Sequence, residues 1–383
     1  MKIGIDATFT PHGGSLGHLL EFIKELSNRY TKSDLILYTK KENIDIIRSD
    51  ILNKCTIRLV RSASYGNLFR VIWGQIVLPI SSSFDGLDIL FCPGNISPMI
   101  KTTKIKAQWI ATVGPFSKDV YVGLKLRDKF HTIVNKYFIL LSGYSSNVVI
   151  HESYYSKQLF EDKYKYRGKF QFLIECGKDD FYKPFPKQIK SSNLISLINK
   201  EDLLCVSHLY SYKNIERLIG AFASYKKNNA TAQKLYIAGK KADPRYCKRL
   251  EKLVFKFGLQ DDIIFTGMVA KDELRFAYST CKLFVFPSLC ESSGYTLIEA
   301  MSCGAAILAS DITAMPFTCR DGADYFDAYS EEALLMKLET LLANDNELSL
   351  MKKKSLFRAS EMIDYKTATQ EFLQIVDTKL KDL

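Results

Sequence analysis

Residues Cys281 to Asp311, CKLFVFPSLCESSGYTLIEAMSCGAAILASD, constrain the fold more than any other stretch of the 383-residue chain. Leu283 to Phe286 is a short apolar run closed by Pro287, the pattern of a buried strand. Ser288 to Tyr295 is turn chemistry, and Gly294 allows the backbone to approach a ligand closely. Thr296 to Met301 favours helix, and Gly304 stops it. Ala305 to Leu308 reads as a second buried strand. Strand, turn, helix and strand in this order make one unit of a parallel α/β sheet. Ligands of such sheets bind outside the carboxyl ends of the strands. Glu291 and Glu299, with seven residues between them, flank the turn on that edge. The amides of Gly294, Tyr295 and Thr296 open the helix, where its dipole favours an anion.

The same alternation runs through the rest of the chain. Strands are expected at Lys2 to Asp6, Leu35 to Tyr38, Thr56 to Val60, Ile89 to Phe91, Lys106 to Thr112, Asn147 to Ile150 and Phe170 to Ile174. Helices are expected near Leu19 to Tyr30, Asn67 to Leu78 and Val120 to Leu141. A connecting stretch, Glu175 to Ile189, contains Gly177, Pro184 and Pro186. A second series then starts at Leu203 to Val206, with a helix from Asn214. Strands separated by helices indicate parallel sheets covered on both faces. The expected architecture is therefore α/β, with two Rossmann-like domains facing each other across a cleft. The boundaries are set at residues 1–178 and 195–364, with a final helix at 365–383.

Composition excludes several classes. Hydrophobic residues at 47% and charged residues at 25% are globular values. No apolar run is long enough to span a bilayer, and with a strand expected from Lys2 onward no secretory leader is expected. The nine cysteines lack any C-x-x-C pair, which argues against a disulfide framework or zinc. No Asp-x-Asp string is present, so no metal is expected. Residues 1–200 hold 29 Lys+Arg and 17 Asp+Glu, a net +12, whereas residues 201–383 hold 24 and 25, a net −1. The basic excess is densest at Lys163, Lys165, Arg167 and Lys169, interleaved with Tyr164 and Tyr166. A neutral second half speaks against a nucleic-acid partner.

The Glu291-to-Glu299 stretch, continuing to GADYFD, resembles the signature of retaining glycosyltransferases of the GT-B fold, glycosyltransferase family 4. The resemblance implies a nucleotide-diphosphate sugar as donor, no metal or other cofactor, and a glycan acceptor. It implies that Glu299 accepts the ribose hydroxyls and that Glu291 lies near the anomeric carbon, as nucleophile or as orienting group. Lys213 matches the family lysine that neutralises the diphosphate, with His208 standing where an arginine is usual. Gly13 and Gly14 match the loop lying against the diphosphate, joined by the helix start at Gly294, Tyr295 and Thr296. His12 and His18 have no assigned role. Ala111 and Thr112 stand where the family often has a His or His-Asn pair, and Phe317 where an acidic residue often follows Met-Pro.

The leading expectation is a retaining hexosyltransferase acting on a lipid-linked acceptor in bacterial envelope polysaccharide synthesis: lipopolysaccharide, O-antigen or capsule. Lys163, Lys165, Arg167 and Lys169 would hold it at the cytoplasmic face of the membrane, with Tyr164 and Tyr166 at the interface. Two alternatives stand beside it. One is a catalytically weak relative serving as a binding partner in a glycan-assembly complex, motivated by His208, Ala111 and Phe317. The other is a sugar-nucleotide epimerase, which the run EAMSCGAAILASD suits less well.

Overall fold

The computed structural model describes residues 1–8, 14–44, 47, 49–60, 71–166, 170–175, 177–185 and 194–382. The chain divides into two compact units. One comprises Met1–Phe116, Lys125–Gly177 and Ile363–Leu383; the other comprises Ser117–Leu124 and Lys178–Met362.

The first unit is built on seven parallel strands: β1 (Ile3–Asp6), β2 (Leu35–Lys40), β3 (Thr56–Val60), β4 (Ile89–Cys92), β5 (Ile105–Ile110), β6 (Val148–His151) and β7 (Phe170–Leu173). Their order across the sheet is β3-β2-β1-β4-β5-β6-β7. Central strands such as IGID and ILFC are buried along their whole length, which is why they read as continuous rather than alternating apolar runs. Helix α1 (Gly14–Ser27) packs on this sheet through Leu19, Phe22, Ile23 and Leu26. The last helix of the chain joins the same core through Phe372, whose ring lies 5.3 Å from Phe22 and 4.9 Å from Phe91.

The second unit holds six parallel strands: β8 (Leu203–Val206), β9 (Leu235–Ala238), β10 (Ile263–Gly267), β11 (Leu283–Phe286), β12 (Ile307–Ser310) and β13 (Asp324–Phe326). Their order is β10-β9-β8-β11-β12-β13, so it reverses direction between β8 and β11.

Several elements differ from the sequence reading, three of them for a clear local reason. Helix α1 begins at Gly14 rather than Leu19, because the apolar period that marks a helix starts only after GSLG. The helix expected at 120–141 is two pieces, a 3₁₀ turn at Lys118–Tyr121 and α2 (Leu126–Ser145), separated by Gly123 with φ +79°. Strand β12 starts at Ile307, two residues later than expected. Gly304, at φ +75°, turns the chain, and the Ala305 N–H still donates to Ala300 of the preceding helix.

Candidate functional site

The loops that follow β8 and β11 flank the point where the strand order of the second sheet reverses. That is where open α/β sheets form a crevice for ligands. Several hydrogen bonds lace the two loops together. Asn214, buried and held at φ +58°, donates its side-chain amide to the carbonyls of Pro287 and Ala328 at 3.0 and 3.1 Å. It also ends the β8 loop, since helix α3 (Ile215–Asn228) starts at the next residue. The Leu289 N–H donates to the Tyr212 carbonyl at 2.8 Å.

This lacing brings Lys213 and Glu291 into an ion pair, Nζ to Oε1 2.5 Å, with side chains only 15% and 14% exposed. The ammonium also sits 5.2 Å from the Tyr212 ring centre and 5.8 Å from that of Phe286. Burial alone would push the lysine toward its neutral form. The Glu291 carboxylate outweighs it, so the pKa of Lys213 is raised and the group is a fixed cation. The Glu291 N–H donates to the Thr313 hydroxyl at 3.2 Å, which ties the β11 loop to the loop after β12.

Glu299 lies in a different environment. It sits on α5 (Tyr295–Ser302), a helix that opens at Gly294 with φ +73°. A side chain at Gly294 would be strained at that φ and would place its Cβ 3.0 Å from Leu297. The first N–H groups of any α-helix lack intrahelical partners, and Tyr295 and Thr296 occupy that first turn. On the preceding helix, α4 (Lys271–Thr280), the Tyr278 hydroxyl donates to Glu299 Oε2 at 3.2 Å. Tyr182, from the segment leading into the second sheet, is buried with its ring centre 6.3 Å from that of Tyr278, and its phenol acts on the same carboxyl. Burial raises the Glu299 pKa to about 7, against the opposing effect of the two phenols and of Lys271. The two glutamates of the motif thus differ in kind: one is locked to a cation, the other lies among phenols close to its point of protonation.

His208 lies in the β8 loop, and its Nδ1 accepts the Lys240 N–H at 3.1 Å. In the neutral ring that bond puts the proton on Nε2. Gly14 is the first residue of α1, and Gly13 lies outside the described residues. Lys163 and Lys165 are exposed, while Arg167 and Lys169 lie outside the described residues. Tyr166 corrects the expectation of an interfacial aromatic. It is 1% exposed, its hydroxyl donates to the Leu140 carbonyl, and its ring is stacked on Tyr144. Alternation with lysines suggested exposure, but Tyr166 follows Lys165, whose left-handed backbone (φ +50°) ends the helix there.

Sequence reasoning missed Tyr182, Tyr278 and the segment 117–124. The segment belongs to the second unit. Asp119 accepts from the Tyr329 hydroxyl at 3.0 Å, the Val122 carbonyl accepts from Ser211 at 3.2 Å, and Ser117 lies near the Cys290 thiol beside Glu291. None of these has a sequence spacing that could reveal it, since each pairs residues far apart along the chain. Among the described residues no cluster of three His, Cys, Asp or Glu side chains could hold a metal.

Two parallel-sheet α/β units of this kind are those of the GT-B class of glycosyltransferase folds. The structure is similar to that of a sucrose-phosphate synthase from Thermosynechococcus elongatus, with a TM-score of 0.78 at 16% identity over 100% of both chains. It is also similar to WaaG, a glycosyltransferase involved in lipopolysaccharide biosynthesis, with a TM-score of 0.75 at 15% identity over 98% of this chain and 99% of that one. Residues 188–356 match the family model of glycosyl transferases group 1, and the second unit carries a domain of that family. A serotype-specific mannosyltransferase, WbdA of Escherichia coli, is 40% identical over 119 residues, 30% of this chain. The match spans only 14% of that relative's own length.

Proposed function

We propose that the protein is a retaining glycosyltransferase that moves a sugar from a nucleotide-diphosphate sugar to a lipid-linked glycan in bacterial envelope polysaccharide synthesis. The observation that carries this reading is the Lys213–Glu291 pair at the switch point of the second sheet. A sugar-nucleotide donor needs positive charge for its diphosphate, acceptors for its ribose hydroxyls and an orienting group near the anomeric carbon. Lys213, the first turn of α5 and the His208 ring meet the first need, Glu299 the second and Glu291 the third. No step requires a metal. In a same-face displacement the leaving phosphate takes the acceptor proton as the glycosidic bond to it breaks. WbdA is named as a mannosyltransferase, which supports sugar transfer, and WaaG as a glycosyltransferase involved in lipopolysaccharide biosynthesis, which suits an envelope glycan.

A lipid-linked acceptor requires the protein to meet a membrane. No helix among the described residues is long and apolar enough to cross one. Helix α2 instead exposes Leu126, Phe130, Ile133, Tyr137 and Leu141, spaced at three or four residues and therefore on one face. Lys125, Arg127, Lys129 and Lys136 accompany this stripe. Lys136 and Lys163 both lie over the Tyr164 ring, at 5.3 and 5.9 Å, which joins α2 to the exposed Lys163 and Lys165. An apolar face bordered by cations suits an anionic leaflet.

The test is transfer of radiolabelled sugar from UDP- and GDP-sugars to a lipid extract, with the anomeric configuration of the product read by NMR. An α-product from an α-donor is expected. Release of a free epimerised sugar nucleotide, or no turnover with any donor, would overturn the reading. Co-sedimentation with phosphatidylglycerol vesicles but not phosphatidylcholine vesicles is expected at low salt, and Phe130→Ser should weaken it. Equal binding to both lipids would reject the membrane contact alone.

A further inference from the structure

Glu299 accepts from the Tyr278 hydroxyl at 3.2 Å, and a second phenol, that of Tyr182, acts on it from a different part of the chain. Tyr278 is on α4, just before β11, with its ring 5.4 Å from Phe284 and edge-on to it. Tyr182 is on the segment 178–185, and its ring lies 6.3 Å from that of Tyr278. Both tyrosines are buried.

That segment is fastened along α4. The Phe185 N–H donates to the Ser279 hydroxyl at 2.9 Å, and Arg275 Nε donates to the Lys183 carbonyl at 2.8 Å. The Arg275 guanidinium covers the rings of Phe181 and Phe185 at 5.6 and 4.6 Å, and Lys271 pairs with Asp179 at 3.1 Å. The Tyr182 hydroxyl is therefore set in place by contacts on both sides of it. An ionised carboxyl offers about four lone-pair sites. Two phenol donors would occupy part of that capacity and leave acceptor sites for a pair of vicinal hydroxyls.

We propose that Tyr182 and Tyr278 are positioning residues for the donor nucleotide: their hydroxyls hold Glu299 oriented and ionised, so that it can accept the two ribose hydroxyls. The inference rests on the reading of Glu299 as the ribose acceptor. It goes further in making the segment that connects the two sheets part of the nucleotide site.

The consequence is a pH dependence with a definite sign. A protonated carboxyl has lost acceptor capacity, so the nucleotide selects the ionised form and affinity rises with pH up to the Glu299 pKa. The groups acting on Glu299 are Tyr278 and Lys271 from α4 and Tyr182 and Asp179 from the connecting segment; Cys303, just after α5, is a neutral thiol that burial and Glu299 itself push up. The phenols and Lys271 favour the ionised form, and Asp179 opposes it. Removing one phenol O–H therefore moves the midpoint upward.

The experiment is calorimetric titration of UDP and GDP between pH 5.5 and pH 9 into the wild-type protein, Tyr182→Phe, Tyr278→Phe and Glu299→Gln. Wild-type affinity should climb through roughly pH 7 and then level. Each phenylalanine variant should shift that midpoint up by as much as about one pH unit, a loss of up to about tenfold below the midpoint that shrinks above it. Glu299→Gln should bind weakly and keep only the pH dependence of the nucleotide phosphates and of the groups that meet them, and so serves as the reference. Phenylalanine variants with the wild-type midpoint, or with an equal loss at every pH, would overturn the positioning role. Unchanged affinity in Glu299→Gln, or no binding of either nucleotide by the wild type, would overturn the donor-site reading itself.

Discussion

Glu291→Gln is expected to lower kcat by about 10²–10³, the range seen when one preorganised electrostatic group is removed from a reacting centre. Affinity for the free nucleoside diphosphate should not fall. The reason lies in the ion pair. In the structure the Lys213 ammonium is committed to Glu291 at 2.5 Å. Glutamine keeps the shape and one acceptor oxygen but removes the negative charge that competes with a diphosphate for that ammonium. The substitution therefore separates two effects that usually move together: the sugar loses its orienting charge, while the phosphates meet a less encumbered cation. Steady-state kinetics for turnover and calorimetry for the nucleotide give both readouts on one preparation. Near-native turnover would exclude Glu291 from the chemistry, whatever happened to binding.

Lys213→Ala acts on the other half of the pair and should be felt in stability as well as function. The carboxylate it leaves behind is 14% exposed and has lost its counter-ion. Breaking a buried pair by removing one partner costs about 3–5 kcal/mol, most of it the penalty of the orphaned charge. Adding Glu291→Gln removes that charge, so the double variant should recover much of the loss. Denaturant unfolding of all four proteins closes the cycle. The single variant should also lose its preference for nucleoside diphosphates over monophosphates. A variant as stable as the wild type, or one that retains the preference, would show that Lys213 neither neutralises Glu291 nor meets the second phosphate.

The legible part of the chain was the part encoded locally. β11 was placed to the residue at Leu283–Phe286 because a fully buried strand must be uninterrupted and apolar, and Pro287 must end it. Gly294 and Gly304 were legible because both adopt left-handed backbone that other residues avoid. The break in the helix at Gly123 was not, because a glycine inside an apolar period does not say whether the helix tolerates it or stops there. In the site, Glu291, Glu299 and Lys213 carried a spacing, and the structure places Lys213 against Glu291. The phenols around Glu299 carried none. Tyr182 is more than a hundred positions from the carboxyl it serves, and an isolated tyrosine in a proline-containing stretch has the same look whether it faces solvent or closes a site. Tyr166 shows the converse: a tyrosine between charges reads as surface, and burial behind α2 was set by packing that no local pattern records.

The allocation of Ser117–Leu124 to the second unit, and of the last helix to the first, means that the polypeptide passes from one unit to the other four times. The units are therefore structural modules without being genetic ones. A fragment cut within 178–195 would leave the C-terminal piece without the stretch that meets Tyr329 and Cys290, and the N-terminal piece without the ring of Phe372 in its core. An exchange of donor specificity between relatives by a single recombination crossover would meet the same obstacle. Chimaeras of this chain need at least the short 117–124 insert and the terminal helix to travel with the unit each completes.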